Sequence, residues 1–139
     1  LITTVPFVST TSNYDRQVER NASGNNLVAT LGWDGLAAVN VSNPASPTMQ
    51  TVLTDPTTFY FDGVRFVPRT DICFLWGVIR VGAVDTDFLA FADASLPGLV
   101  FPILVVQMPM QIADVGTRAG RVYVLGTDRA TRATTLTVY

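Results

Sequence analysis

The chain has 139 residues, of which 48% are hydrophobic and 14% are charged, and its net charge at pH 7 is −2. This length suits one domain with a real core, and the apolar content excludes an intrinsically disordered chain. The charge provides no electrostatic footprint for nucleic acid, and a single cysteine excludes an internal disulfide.

Short strand-like segments recur along the whole chain, each rich in Val, Ile, Thr, Phe or Tyr and bounded by Gly, Pro, Asn or Asp. In chain order the main segments are LITTVPFVS (1–9), NYDRQVER (13–20), GNNLVATLGW (24–33), GLAAVNVS (35–42), PTMQTVLT (47–54), TFYFDGVRFV (58–67), RTDICFLWGV (69–78), DFLAFADA (87–94), GLVFPILVV (98–106), PMQIADVG (109–116), RAGRVYVLGT (118–127) and ATTLTVY (133–139). Prolines interrupt the two longest uncharged runs, 35–54 and 94–113, which argues against a membrane-spanning helix.

Three of these segments resemble one another and indicate an internal repeat. Each has a polar turn, then four or five mostly apolar residues, then a glycine. Their leading residues Leu27, Ile72 and Val122 lie 45 and 50 positions apart. A period of this size is typical of four-stranded propeller blades.

The repeat predicts a single all-β domain, 1–139, that resembles a β-propeller of about three four-stranded blades. The blades are 10–55, 56–107 and 108–139, with 1–9 supplying the outer strand of the split third blade. Extra residues at 78–87 should form a longer loop or a strand extension. Propeller rings use four to eight blades, so we expect another copy or another chain to complete the circle. A β-sandwich or a closed barrel is the alternative.

One stretch, GLAAVNVSNPASPTMQTV, carries a family resemblance. It resembles the LVIVD-type β-propeller repeat, and the match extends over 24–55. The residues that fit are Gly35, Leu36, Val39, Val41, Ser42, Pro44 and Pro47, whereas Asn40 and Asn43 stand where that family usually has Asp. The resemblance implies a propeller in an extracellular or cell-surface setting and no shared catalytic residues.

The chain begins at Leu1 rather than Met, from which we expect it to be a processed or excised piece of a longer product.

Few residues suggest chemistry, since histidine is absent and no nucleotide-binding or nucleophile motif occurs. Asp85 and Asp87, with Asp93 nearby, are a candidate Ca²⁺ site or acid/base pair on the predicted inserted loop. The alternative interpretation is a solvated turn, because Asp is a common turn residue. No cofactor is expected.

Other side chains suggest surfaces. Trp33 and Trp76 are candidates for a sugar-binding surface, although blade packing uses the same residue types. The sequons at Asn21 and Asn40 are candidate glycosylation sites, and the predicted turn position favours Asn21. Cys73 lies in an apolar strand and is expected to be buried. Arg118, Arg121, Arg129 and Arg132 form either a patch for an anionic partner or a set of surface ion pairs with Asp114 and Asp128.

These features favour a non-enzymatic module that acts as a structural or protein-interaction subunit of a larger assembly or surface protein. The first alternative is a carbohydrate-binding, lectin-like propeller subunit. The second alternative is a fragment of a propeller hydrolase that uses Asp carboxylates. Expected partners are another copy or another chain, with neither nucleic acid nor a membrane span involved.

Overall fold

The architecture comes from a computed structural model, which describes residues 17–53 and 57–139. These residues form eleven β-strands and no helix, so they also contain no helix that could cross a membrane. The prediction of an all-β chain is confirmed. The predicted strand at 1–9 lies outside the described residues.

The strands form three antiparallel sheets in which each strand pairs with its neighbour in sequence. The first sheet contains β1 (Val18–Arg20), β2 (Asn26–Thr30), β3 (Leu36–Asn40) and β4 (Thr48–Leu53). The second contains β5 (Phe59–Phe66), β6 (Ile72–Val81), β7 (Val84–Asp93) and β8 (Phe101–Met108). The third contains β9 (Gln111–Arg118), β10 (Arg121–Thr127) and β11 (Thr134–Val138).

The second sheet lies between the other two, and its strand β6 is buried on both faces from Cys73 to Val78. Successive side chains of a strand point to opposite faces, and along β6 this alternation divides the core in two. Leu75 packs with Val28 and Leu36 of the first sheet. Phe74 and Trp76 pack with the third sheet. Burial on both faces explains why β6 reads as an almost continuous apolar run rather than as a polar–apolar alternation.

The first strands of the three sheets lie side by side. Two side chains of the first sheet accept hydrogen bonds from the backbone of β5: Gln17 Oε1 from the Val64 amide at 3.2 Å, and Glu19 Oε2 from the Phe66 amide at 3.1 Å. Arg65 of β5 contacts both neighbouring sheets, with Nε 3.4 Å from Glu19 Oε1 and Nη2 3.0 Å from Asp114 Oδ1. One guanidinium group therefore links all three sheets at their first strands.

A buried amide fastens the first sheet to the β7–β8 turn. Asn26 has 0% exposure, and its Nδ2 donates to the carbonyl oxygens of Ala94, Leu96 and Leu99 at 3.0–3.2 Å. Its Oδ1 accepts from the Gly98 amide at 3.3 Å. Because the Asn26 side chain forms hydrogen bonds with several backbone groups of one turn, it holds that turn against the first sheet.

The three residues that led the predicted repeat do not lie on equivalent faces. Val28 faces the second sheet, so its neighbour Leu27 points away from it. Ile72 faces the third sheet, beside Phe74. Val122 instead packs back against the second sheet. Leu27 and Val122 therefore lie on the same relative face of the row of sheets, and Ile72 lies on the opposite face, because a shift of one residue reverses the face. The repeat itself stays a prediction.

The extra residues at 78–87 form a strand extension. β6 and β7 continue as a hairpin to the pair Val81 and Val84. The placement of Asp85 and Asp87 in an inserted loop is therefore wrong. Both lie on β7, where Asp85 pairs with Arg80 and Asp87 with Val78 in the strand register.

Candidate functional site

The outward face of the third sheet carries a group of apolar side chains that no described residue covers. Leu125 of β10 pairs directly with Leu136 of β11, and Tyr123 pairs with Val138. The exposed fractions of Leu125, Leu136 and Val138 are 38%, 62% and 46%. Val124, which points the other way, has 0% exposure. A contiguous apolar face of this kind is typical of a surface that another protein covers.

The same sheet ends in an open edge. Within the described part of the chain, β11 pairs only with β10, whereas the first and second sheets each continue to a fourth strand. Unpaired backbone amides and carbonyls along β11 can accept a further strand. The open edge borders the apolar face, so one partner could both pair with β11 and cover the apolar side chains.

The outer strand of the second sheet is also exposed. Every residue from Phe101 to Gln107 is solvent-accessible, and Ile103, Leu104 and Val105 are 63%, 53% and 50% exposed. The strand carries no charged residue that would disfavour edge-to-edge pairing, and its one proline is Pro102. This strand is the second candidate surface for contact with another chain.

The predicted carboxylate pair is engaged by arginines. Arg80 binds Asp85 through Nε at 2.8 Å and Nη2 at 3.1 Å. Arg129, from the β10–β11 turn, binds Asp87 through Nε at 2.6 Å and Nη2 at 2.7 Å. Two-pronged contacts of this kind are the strong form of an arginine–carboxylate pair. The second pair joins the second sheet to the third.

These ion pairs set the electrostatics of the carboxylates. The hydrogen bond from Arg80 holds the pKa of Asp85 below its usual range. The hydrogen bond to Asp87 raises the pKa of Arg129. Among the residues that the structure describes, no group of three or more potential metal ligands occurs. In this arrangement Asp85 links β7 to β6, and Asp87 links the second sheet to the third. The described residues supply no third ligand that would support a Ca²⁺ site.

The two predicted ligand-surface tryptophans lie in different environments. Trp76 is 1% exposed and lies so close over Gly63 of β5 that a Cβ there would come within 2.1 Å of the indole. The structure therefore removes Trp76 from the candidate sugar-binding surface. Trp33 is half-buried, with the Tyr60 ring centroid 5.0 Å away and Arg80 Cζ 4.5 Å from the centre of its ring.

The preference for Asn21 over Asn40 as a glycan acceptor is also wrong. Asn21 is 4% exposed, and its Nδ2 donates to Asn25 Oδ1 at 2.7 Å and to the Ala94 carbonyl at 3.1 Å. A glycan needs this nitrogen at the surface. Asn40, at the end of β3, is half-exposed and accepts a hydrogen bond from the Ser42 amide.

The predicted arginine group is divided between different surroundings. Arg129 forms the ion pair described above, whereas Asp114 pairs with Arg65 rather than with any of the four arginines. Arg118, Arg121 and Arg132 have no acidic partner in the described residues. Cys73 is buried, and burial raises the pKa of its thiol to about 12.

Sequence reasoning missed Arg65 and Asn26, which hold the sheets together. Both lie on strands whose partners come from distant parts of the chain, so no local pattern marks them. Asn26 opens β2 directly after the polar turn, where Asn is a common turn residue. Only the approach of the β7–β8 turn makes its amide a buried hydrogen-bonding group.

No family model matches this chain, and searches of curated proteins and of solved structures find no significant similarity. The resemblance to the LVIVD-type repeat stays a prediction.

Proposed function

We propose that the chain is a non-enzymatic, propeller-like module whose open row of sheets is completed by another copy or another chain. Its role is structural, as an interaction subunit of a larger assembly or surface protein. The observation that carries the proposal is the group of exposed apolar side chains on the third sheet, next to the edge of β11, which no strand of the described residues pairs with.

The way the sheets diverge supports a radial arrangement. They meet at their first strands, where Arg65 reaches Glu19 of β1 and Asp114 of β9. At the other side, the last strand of the second sheet is exposed along its length. Sheets that touch along their first strands and separate at their last are arranged as propeller blades are around an axis.

The third sheet is where such a row would continue. In the second sheet, the face that points along the row is covered by the third sheet. Leu125 and Leu136 lie on the corresponding face of the third sheet, where they are exposed. Three blades are too few to close a ring, and two copies would supply six. The extracellular or cell-surface setting belongs to the same proposal and rests on the LVIVD-type resemblance.

The test is analytical ultracentrifugation of the purified chain and of two matched variants. Leu136→Arg puts a charge on the uncovered face, and we expect it to shift the chain from a multimer to a monomer because an unpaired buried charge is costly. Val84→Arg is the control, since Val84 is 63% exposed but lies on the β6–β7 hairpin. Association that survives Leu136→Arg, or that only Val84→Arg abolishes, would contradict the proposal.

The lectin-like alternative depends on Trp33, which is half-buried beside Arg80, the arginine that binds Asp85. Aromatic rings beside polar groups suit sugar recognition. Glycan-array binding that is lost in Trp33→Ala, with the unfolding transition retained, would favour this function. Absence of binding to every glycan would remove it.

A further inference from the structure

The open edge of β11 has a defined hydrogen-bonding pattern. The Val122 amide donates to the Tyr139 carbonyl at 3.1 Å, and the Tyr139 amide donates to the Val122 carbonyl at 2.9 Å. In an antiparallel pair, residues that exchange both hydrogen bonds alternate with residues whose amide and carbonyl point away from the partner strand. Leu136 and Val138, at odd distances from Tyr139, therefore point their backbone groups to the open edge.

The side chains of the same two residues lie on the outward apolar face, where Leu136 is 62% and Val138 46% exposed. Directly paired residues of antiparallel strands place their side chains on one face. A further strand that forms hydrogen bonds with Leu136 and Val138 therefore also places the side chains of its bonded residues on that face. One added strand would pair the edge and enlarge the apolar face.

The order of strands along the chain indicates where such a strand comes from. The fourth strand of a sheet directly precedes the first strand of the next sheet: β4 ends at Leu53 and β5 begins at Phe59, and β8 ends at Met108 and β9 begins at Gln111. By this order, a strand shortly before β1 belongs to a sheet that precedes the first sheet in the row. When a second copy continues the row, its third sheet takes that position.

The segment 1–9, LITTVPFVS, is placed shortly before β1. It lies outside the described residues, and eight residues, 10–17, separate it from Val18 at the start of β1. It is apolar and carries no charge, as is also true of β4 and β8. Like β8, which contains Pro102, it includes a proline, a residue that sheets accept in an edge strand.

Pro6 determines which residues of the segment can bond to β11. It has no amide hydrogen, so its position must point away from the neighbouring strand. The bonded positions are then the odd-numbered ones, which are Leu1, Thr3, Val5, Phe7 and Ser9. Three of these five side chains are apolar, and all five would lie on the face that carries Leu136 and Val138.

We propose that the segment 1–9 of one copy is the fourth strand of the third sheet in a second copy. It runs antiparallel to β11, bonds to Leu136 and Val138, and places Val5 and Phe7 beside them on the outward face. This inference rests on the proposed function, because it names the segment of the second copy that completes the third sheet.

The test is disulfide trapping in mixtures of two variants of the 139-residue chain. One variant carries Leu136→Cys, and the other carries a single cysteine substitution at each position of 1–9 in turn. The native Cys73 is buried and does not compete. Oxidation should give a cross-linked pair of twice 15.0 kDa, with high yield at odd positions such as Val5→Cys and low yield at even positions such as Thr4→Cys.

High yield at even positions, equal yield at all positions, or no cross-linked pair would overturn the assignment. So would a disulfide that forms within one chain when Leu136→Cys and Val5→Cys are combined in a dilute sample, because the segment would then pair with its own third sheet. If Leu136→Arg dissociates the chain but 1–9 forms no cross-link, the proposed function stands and the strand assignment is wrong.

Two matched proline substitutions test the hydrogen bonds themselves. Thr3→Pro removes an amide that donates to β11, whereas Thr4→Pro removes one that points away from it. In sedimentation equilibrium, Thr3→Pro should weaken association about tenfold and Thr4→Pro should leave it unchanged. Equal effects of the two substitutions would overturn the assignment of the odd positions to β11.

Discussion

The second and third sheets share one strand order, yet their inner strands are buried to different extents. β6 is buried without interruption from Cys73 to Val78. In β10 only Val124 and Gly126 are buried, and Leu125 between them is 38% exposed. Both strands are apolar, so composition does not account for the contrast.

The difference lies in the number of neighbouring sheets. Leu75 packs against the first sheet and Phe74 against the third, so each face of β6 has a cover. In the described part of the chain, the third sheet is covered only on the face that carries Ile112, Val115 and Val124, which packs against the second sheet. Whether a strand is buried thus depends on whether another sheet packs against each of its faces, and not on the composition of the strand.

The largest expected effect is the difference between two leucine-to-alanine substitutions, one in each sheet. Leu75→Ala should lower the free energy of unfolding by about 2–5 kcal/mol, since it leaves a cavity in a closed core. Leu125→Ala should cost less than about 1 kcal/mol in the dissociated chain, because the side chain is already partly solvated. Urea denaturation of both variants measures this.

The contrast also depends on concentration. When copies associate over the third sheet, Leu125 becomes buried and the cost of Leu125→Ala should rise with protein concentration, because association stabilises the folded chain by mass action. The cost of Leu75→Ala should stay constant. Equal costs of the two substitutions at low concentration would contradict the difference in burial.

The next effect concerns the attachment of the first sheet to the second. Asn26→Ala should destabilise the fold by about 1–3 kcal/mol, because buried carbonyls of the β7–β8 turn lose their donor. Asn26→Asp keeps the shape but turns an acceptor toward those carbonyls, so it should cost more. Thermal unfolding orders the two variants, and an Asp variant as stable as the native chain would remove the amide from this role.

A smaller effect separates the two carboxylates of β7. Asp87 is 4% exposed and Asp85 is 36% exposed, although each binds an arginine through two hydrogen bonds. Asp87→Ala should cost about 1–3 kcal/mol, because its charge-assisted hydrogen bonds to Arg129 are lost from a buried site. Asp85→Ala should cost less than Asp87→Ala in the same urea titration. The reverse order would show that the Arg129 contact does not hold the third sheet.

The smallest effect at neutral pH is that of the buried thiol. Burial, together with the charges of Asp93 and Glu19, raises the pKa of Cys73 from 9.0 to about 12. The unfolded chain releases this proton at lower pH than the folded chain, so stability should fall between pH 9 and 12 and be unaffected below pH 9. Cys73→Ala should remove this part of the pH dependence.

The same burial predicts slow chemistry at Cys73. Iodoacetamide at pH 8 should leave the folded chain unmodified and label it fully in urea, because the thiolate is the reactive form. Rapid labelling of the folded chain would mean that the first and second sheets separate readily.

The strands themselves could be predicted from sequence, because period-two apolar patterns and Gly, Pro and Asn turns are local signals. The face of each side chain could not be predicted, as Ile72 demonstrates: it aligns with Leu27 and Val122 in the sequence but lies on the opposite face, because a shift of one residue reverses the face of a strand. The roles of Asp87 and Asn26 were hidden for a different reason. Their partners, Arg129 and the turn at Ala94, are distant in sequence and become neighbours only when the sheets stack.

The most direct test of the central claim is the absolute mass of the purified chain in solution by light scattering. An open row of sheets with an uncovered apolar end predicts association, with a mass near twice the 15.0 kDa of one chain or a larger multiple. A stable monomer of 15.0 kDa at micromolar concentration would contradict it, because no second chain would then cover Leu125 and Leu136, which no described residue covers.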